Sequence, residues 1–385
     1  MSGILKTLFD SAALWIYLQA FWYILISILY YFSIPWILWG TLIIVILSWV
    51  LRNPPPDKKI VNKVLGVDPS NLKTTDDKLT LLSDNHHHHH NNNSINNGDK
   101  LTNNEFCMRV IGHRGGGYDY PENSLSAFNN CKAKGCNTVE IDLRRTKDNI
   151  PIIFHDETIE RLTGKIGVIK DMTWDELKDL DISCNHPLRE TFKGGERILS
   201  FNEAIEQCLN NDLNIVIDVK DSNLDFVQII LDAYKKYPKL YEKAWITSCF
   251  PVTIYMLRRR DPKIVTCLAF EPKVFLGLAE ESSREHGLTR TKSFVKNLLI
   301  FILDILHEWA LTRFTYFILG ISCVLLHKDI ISPHIIEEWK SRGVRVIAWP
   351  INLPSEKIHY TKTLKVVIIF IYLVGGRYIY NSIYA

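Results

Sequence analysis

Short strand-like runs recur through most of the chain with helical stretches between them. In order they are MRVIGHR, TVEIDLR, IPIIFHD, NIVIDVK, KAWITSCF, KIVTCLAF, LLHKDIIS and VRVIAWPIN. Strands alternating with helices predict a parallel sheet, and this number of units predicts an α/β fold of the (β/α)8 TIM-barrel type. In that architecture polar residues at the C-terminal ends of strands build the site. The runs here end on His113 and Arg114, Glu140 and Asp142, His155 and Asp156, Asp218 and Lys220, Trp349 and Asn352.

One junction breaks the alternation. VEIDLRRTKDNIPIIFHD leaves no room for a helix between its two strands. A parallel crossover needs a dozen or more residues, so the pair is expected to form a β-hairpin after strand 2. With Asp148-Asn149 as a two-residue turn, Asp142 stands opposite His155 and Glu140 opposite Glu157. Side chains alternate with period two, which places Glu140, Asp142 and His155 on one side of the ribbon.

The flanks differ from this core. No charged residue occurs from Ser11 to Val50. As helix that run is roughly 60 Å long, about twice a bilayer core. A transmembrane anchor is expected over 11–51, as one long span with an interfacial arm or as a hairpin broken near Ser33-Ile34-Pro35. Residues 52–105 read as a low-complexity linker: Pro54-Pro55-Pro56, scattered charges, then His86 to His90 and an Asn-rich tract, taken as a polar tether rather than a metal site. The barrel is expected over 106–360, with an apolar helical insertion at 297–326 and a divergent tail at 361–385. The eight cysteines are scattered and read mostly as free and buried. A formal charge of +3 carries no nucleic-acid footprint.

The strand ends define a chemistry. Two carboxylates two apart on a strand, Glu140 and Asp142, with a third acid at Asp218, make an all-oxygen set that suits Mg²⁺ or Ca²⁺ better than Zn²⁺. His113 and His155 beside such an ion suit general acid–base work. Arg114 and Lys220 add fixed positive charge, and an arginine grips a phosphate by two parallel hydrogen bonds. The glycines after Arg114 are expected to let a ligand approach the backbone. Together these residues are suited to a phosphate ester.

GHRGG…PENS, VEIDLRRTKDNIPIIFHDETIERLTGKIGVIKDMTWDEL and WPIN resemble the glycerophosphodiester phosphodiesterase family across roughly Val110 to Asn352. NHPLRETF, IDVKD and LLHKDIISP resemble its membrane-bound branch, which includes glycerophosphoinositol phosphodiesterases. The resemblance implies that His113 and His155 are the acid/base pair, that Glu140, Asp142 and Asp218 hold the metal, and that Arg114 and Lys220 meet the phosphate. It also implies that Glu122 supports these groups and that Trp349 lies against the substrate. Many family members have Glu where Asp218 stands. The implied reaction is metal-dependent hydrolysis of a glycerophosphodiester to glycerol 3-phosphate and an alcohol. The attacker is water or the substrate's own 2-hydroxyl. Two other readings remain open: a lysophospholipase D acting on lysophospholipids in the bilayer, and a catalytically inactive membrane-anchored binding protein.

The insertion NLLIFILDILHEWALTRFTYFILGISCVLL is very apolar, yet Asp304, His307 and Glu308 give it one polar edge at helical spacing. It is expected to be a helix pair that packs on the barrel or lies in the membrane interface. The closing strand of the family ends in Thr-Asp; KVVIIFIYLV occupies its place here without that pair. Lys6 precedes the apolar run, and Arg52, Lys58, Lys59 and Lys63 follow it. The positive-inside rule then puts the catalytic domain of this integral membrane protein in the cytoplasm.

Overall fold

The computed structural model describes residues 2–71, 107–270 and 294–371. They divide into two compact units, residues 1–52 and the remainder.

The first unit is a single α-helix, Ser2–Leu51, continuous through Pro35. Of the two expected geometries this is the unbroken one. Trp15–Leu51 is long and apolar enough to cross a membrane. Trp15, Trp36, Trp39 and Trp49 are all well exposed on it. A helix apolar on every side is stable only where something other than water surrounds it.

The second unit is a barrel. Its strands are β1 (Val110–Gly112), β2 (Thr138–Arg145), β3 (Pro151–Ile153), β4 (Leu199–Ser200) and β5 (Asn214–Val219). They continue with β6 (Ala244–Ser248), β7 (Thr266–Phe270), β8 (Cys323–His327), β9 (Arg345–Trp349) and β10 (Val367–Phe370). Eight of them, all but β3 and β4, run parallel in the order β1-β2-β5-β6-β7-β8-β9-β10, and β10 pairs back onto β1. This is the TIM-type closure that the alternation predicts. Strand residues are buried on both faces, as a helix-covered parallel sheet requires. On β5, Ile215, Ile217 and Val219 join the layer beneath the helices, while Val216 joins the barrel interior. On β2, Val139, Ile141 and Leu143 face outward in the same way. Glu140, Asp142 and Asp218 therefore point inward.

The hairpin forms, but its register differs by one residue from the expected one. β3 pairs antiparallel with β2 through Leu143–Ile153, Arg144–Ile152 and Arg145–Pro151. The loop holds three residues, Lys147 to Asn149: Asn149 N–H donates to Thr146 O (3.0 Å), and Thr146 N–H donates to Ile150 O (3.1 Å). Asn149 takes the left-handed conformation at φ 64°, which asparagine tolerates and which such loops need. His155 therefore does not stand opposite Asp142. The ladder ends at Ile153, Phe154 N–H donates to Asp142 O (2.9 Å), and His155 follows in a bend.

Three boundaries also differ from expectation. Within 52–105, residues 53–71 belong to the barrel. The helix Lys58–Leu65 sends Val64 and Leu65 into the interior beside Met108, Val265 and Cys267. Arg345 holds it there, donating to Gly66 O and Asn62 Oδ1, each at 2.7 Å. Asn53 is buried; its N–H donates to Ile318 O (2.8 Å) and its side chain to Tyr255 O (3.1 Å). The His86–His90 tract lies outside the described residues. The insertion at 297–326 is one helical run rather than a pair: Phe294–Ala310, a π-helical turn Leu311–Thr315, and Tyr316–Leu319. Gly320, at φ 63°, ends it against the Asn53 carbonyl, where any side chain would collide, and residues 323–326 are already β8. Finally β10 falls inside 361–385, so the barrel extends past residue 360. Val367 to Phe370 close it without a Thr-Asp pair because their backbone and buried apolar side chains suffice.

Candidate active site

The site lies at the C-terminal ends of the barrel strands. β2 and β5 pair in parallel with Asp142 beside Asp218, and Glu140 is two residues earlier on the same inward face. Ligand oxygens of Glu140, Asp142 and Asp218 all lie within 4.8 Å of one another. Glu140 and Asp142 are buried, and the Asp218 side chain is 13% exposed. Burial, then the charge of Asp142, raises the Glu140 carboxyl well above its ordinary range. Burial acts the same way on Asp142, but Lys220 and then Arg114 outweigh it and hold that carboxyl low. Lys220 Nζ lies 3.1 Å from Asp142 Oδ1 and 2.5 Å from Asp218 Oδ2. Burial opposes the Lys220 charge, yet Asp218 and Asp142 raise its pKa above the ordinary lysine value. Asp142 Oδ1 is buried and accepts no hydrogen bond of ordinary geometry from the described residues. Three hard oxygen donors at this spacing fit a divalent cation such as Mg²⁺ or Ca²⁺.

His113 and Arg114 follow β1. Arg114 is left-handed (φ 54°), so the chain reverses at once. Its own N–H donates to Glu140 Oε2 (2.8 Å), while its guanidinium donates to Glu122 Oε1 (3.0 Å) and lies 3.4 Å from Asp142 Oδ2. His113 Nε2 is 3.9 Å from Glu140 Oε2. Burial, then the neighbouring Arg114 charge, pushes the His113 pKa down to about 3. The glycines that follow are also required by packing. A Cβ on Gly115 would sit 2.9 Å from Ala127 Cβ, and one on Gly117 would sit 2.7 Å from Glu122 Cβ. They let the loop pack on the helix Leu125–Ala133 and on Glu122, and Gly117 also lines a cavity beside His113 and Arg114.

His155 reaches the site from the bend after β3. Its Nδ1 pairs with Asp156 Oδ1 at 2.7 Å, which leaves Nε2 for chemistry. Behind it stands Arg161, which the sequence pattern does not single out. Its Nε donates to Asp156 Oδ2 (2.6 Å), while Nη1 and Nη2 donate to Glu122 Oε2 (2.9 Å) and Oε1 (2.7 Å). The hydrogen bonds to Glu122, with those to Asp156, raise the Arg161 pKa further above the ordinary arginine value. Asn123 is a second such residue. Its side-chain amide donates to Asp142 Oδ2 (2.8 Å), and it too is left-handed, at φ 57°. A bulky side chain would be strained there; asparagine takes the turn and orients the carboxylate.

Two cavities open on these groups. One, of about 220 Å³, is lined by His113, Arg114, Glu140, His155, Asp218, Lys220 and Trp349, with Phe270 and Leu325 on its apolar side. The other, of about 310 Å³, shares His113 and Arg114 and is walled by Tyr118, Glu122, Arg161, Asn185 and His186. The structure thus gathers His113, His155, Glu140, Asp142, Asp218, Arg114, Lys220, Glu122 and Trp349 around one place; only Asp142 and Glu122 stay out of the first cavity's lining.

Residues 113–371 match the glycerophosphoryl diester phosphodiesterase family. Glycerophosphodiester phosphodiesterase 1 of Bos taurus is 35% identical over 67% of this chain and 76% of its own length; the Homo sapiens protein is 33% identical over the same shares. The fold matches an Oleispira antarctica phosphodiesterase solved with the product sn-glycerol-3-phosphate (TM-score 0.54, 19% identity, 71% of this chain and 96% of that one). It also matches a glycerophosphodiester phosphodiesterase from Agrobacterium tumefaciens (TM-score 0.50, 17% identity, 69% and 97%). The chain belongs to the glycerophosphoryl diester phosphodiesterase family and is a phosphodiester hydrolase.

Proposed function

We propose that this chain is a membrane-anchored, divalent-cation-dependent enzyme that hydrolyses a glycerophosphodiester, of the glycerophosphoinositol type, to glycerol 3-phosphate and the free alcohol. The observation that carries the reading is the buried triad Glu140, Asp142 and Asp218 with two histidines and two cations around it. Glu140, Asp142 and Asp218 would hold Mg²⁺ or Ca²⁺. Such an ion supplies charge stabilisation at the nonbridging phosphate oxygens.

The chain's own groups do the rest. Arg114 and Lys220 orient the phosphate. His113, buried beside Arg114 and held neutral, accepts the proton of the attacking oxygen. His155, oriented through Nδ1 by Asp156 Oδ1 at 2.7 Å, gives a proton to the leaving alkoxide as its P–O bond breaks. Glu122 fixes Arg114, and Trp349 packs against the glycerol. The second cavity, with Asn185, His186, Tyr118 and Arg161, offers hydrogen-bonding groups suited to a polyol alcohol. The helix Trp15–Leu51 anchors the enzyme. A human lysophospholipase D, 24% identical over 65% of this chain, is a more distant relative. The apolar side of the first cavity, Phe270 and Leu325, favours lysophospholipids as a second substrate class.

Purified protein assayed on glycerophosphoinositol and on a lysophospholipid, with Mg²⁺, Ca²⁺ or chelator, tests both readings. Glu140→Gln is expected to abolish turnover with the fold intact. Turnover insensitive to chelator overturns the metal reading; faster turnover of the lysophospholipid makes the second reading the main one.

A further inference from the structure

The helix Phe294–Ala310 is amphipathic in the wrong sense for a water-soluble domain. Val295, Leu298, Leu299, Phe301, Ile302, Leu303, Ile305, Leu306 and Trp309 are all exposed, each by 42% or more. At 100° per residue they span an arc of roughly 200°. The polar residues occupy the opposite stripe, where Asp304 is buried and the His307 ring stacks on Phe270 at 6.0 Å, while Lys296, Asn297 and Glu308 along its edges are exposed. Phe270 ends β7 and lines the active-site cavity.

Length and direction place this face. As the crossover between parallel strands β7 and β8, the helix runs antiparallel to them. Its last turns are seated: Leu311 and Leu319 enter the core, and Tyr316 packs on Trp339 at 5.7 Å. From Phe294 to Leu319 it is about 39 Å long, against about 17 Å for a five-residue strand. The excess lies at the catalytic end. At the seated end, Asn53 donates to Ile318 O. The covalent link from the apolar helix Ser2–Leu51 therefore enters the barrel where this rail finishes.

We propose that the outer face of Phe294–Ala310 lies in the plane of a lipid bilayer, sunk into the headgroup–acyl boundary. The rail then leads from the point where the anchor joins the barrel to the mouth of the active site. The occupant is a bilayer rather than a second copy. The arc is aliphatic and aromatic with no charged residue inside it, Trp309 sits at its end as interfacial tryptophans do, and the chain already carries a membrane-length helix. A substrate held in the bilayer meets the site without leaving the surface.

The inference rests on the anchor reading, and the experiment separates the two. Photoreactive benzoylphenylalanine is placed singly at Ile302, at Leu38 in the anchor and at Ile166, which is 91% exposed on the barrel. The full chain is reconstituted in phosphatidylcholine vesicles carrying an alkyne-tagged phosphatidylcholine. Lipid adducts are expected at Ile302 and Leu38 and not at Ile166. Adduct at Leu38 without adduct at Ile302, or an Ile302 crosslink joining two copies, overturns the inference alone. Adduct at Ile302 without adduct at Leu38 supports it and overturns the anchor. Adduct at neither position overturns both.

Discussion

Arg161 joins the two halves of the site. One guanidinium binds Asp156, which holds His155, and Glu122, which holds Arg114. Its hydrogen bonds go to Asp156 and Glu122, so in the proposed mechanism it positions His155 and Arg114. Arg161→Met is expected to lower kcat/KM roughly 10–100-fold, as loss of an outer partner of a catalytic site does. Arg161→Lys should fail to restore it, because an ammonium cannot span two carboxylates with a planar fork. A lysine variant with the wild-type pH–rate profile rejects this role. Asp156 contributes to stability on the acid side. Burial would raise its carboxyl, but the hydrogen bonds from His155 and Arg161 hold it below its ordinary value. A depressed carboxyl contributes stability that is present above the ordinary aspartate range and is lost as pH falls through and below it. Melting temperature of the detergent-solubilised protein should therefore begin to fall as pH drops through about 4, the ordinary aspartate value, and keep falling below it, less steeply in Asp156→Asn. Equal slopes would mean that the Asp156 pair does not persist in solution.

At the level of elements, apolar residues at period two made β2 and β5 legible in the sequence, and the same period set Glu140 and Asp142 on one face of β2. The hairpin was legible in kind but not in register. Asn149 forms a left-handed residue of a three-residue loop, and nothing in Asp148-Asn149 separates that from a two-residue turn. His155 reaches the site only because the ladder stops at Ile153. Arg161 was not legible because it meets Glu122 and Asp156 across a bend, at a spacing that belongs to no helix face or strand. The helix Lys58–Leu65 was hidden by its setting: a short amphipathic turn between a proline run and a polar tract reads as linker until Val64 and Leu65 are seen under the barrel. That burial is testable. Leu65→Ala, at a site 3% exposed, is expected to cost about 2–5 kcal/mol, as large-to-small core changes do. It should lower the melting temperature while leaving KM unchanged. An unchanged melting temperature would show that residues 58–65 only rest on the barrel.

For the whole molecule the remaining question is which side of the membrane the barrel occupies. The continuous helix Ser2–Leu51, as the proposed anchor, would put its two ends at opposite faces of a bilayer. Lys6 precedes the apolar stretch, partly offset by Asp10; Arg52, Lys58 and Lys59 follow it. Lys63 counts for less, since its ammonium pairs with Glu242 at 2.6 Å. Lysine and arginine near a span are retained on the cytoplasmic side, so the excess after Leu51 predicts a cytoplasmic barrel. On that side the proposed all-oxygen site is expected to take Mg²⁺, which binds through a few carboxylates and substrate phosphate oxygens. Two readouts on sealed vesicles check the assignment. Added protease should digest the barrel of inward-sealed organelle membranes, because it faces out, and Asn92 of the Asn92-Asn93-Ser94 acceptor should carry no glycan. A protected barrel with a glycosidase-sensitive shift lost in Asn92→Gln would reverse the orientation. The carboxylate triad and its histidines would stand unchanged, but the reaction would then draw on lumenal cations and lumenal substrate.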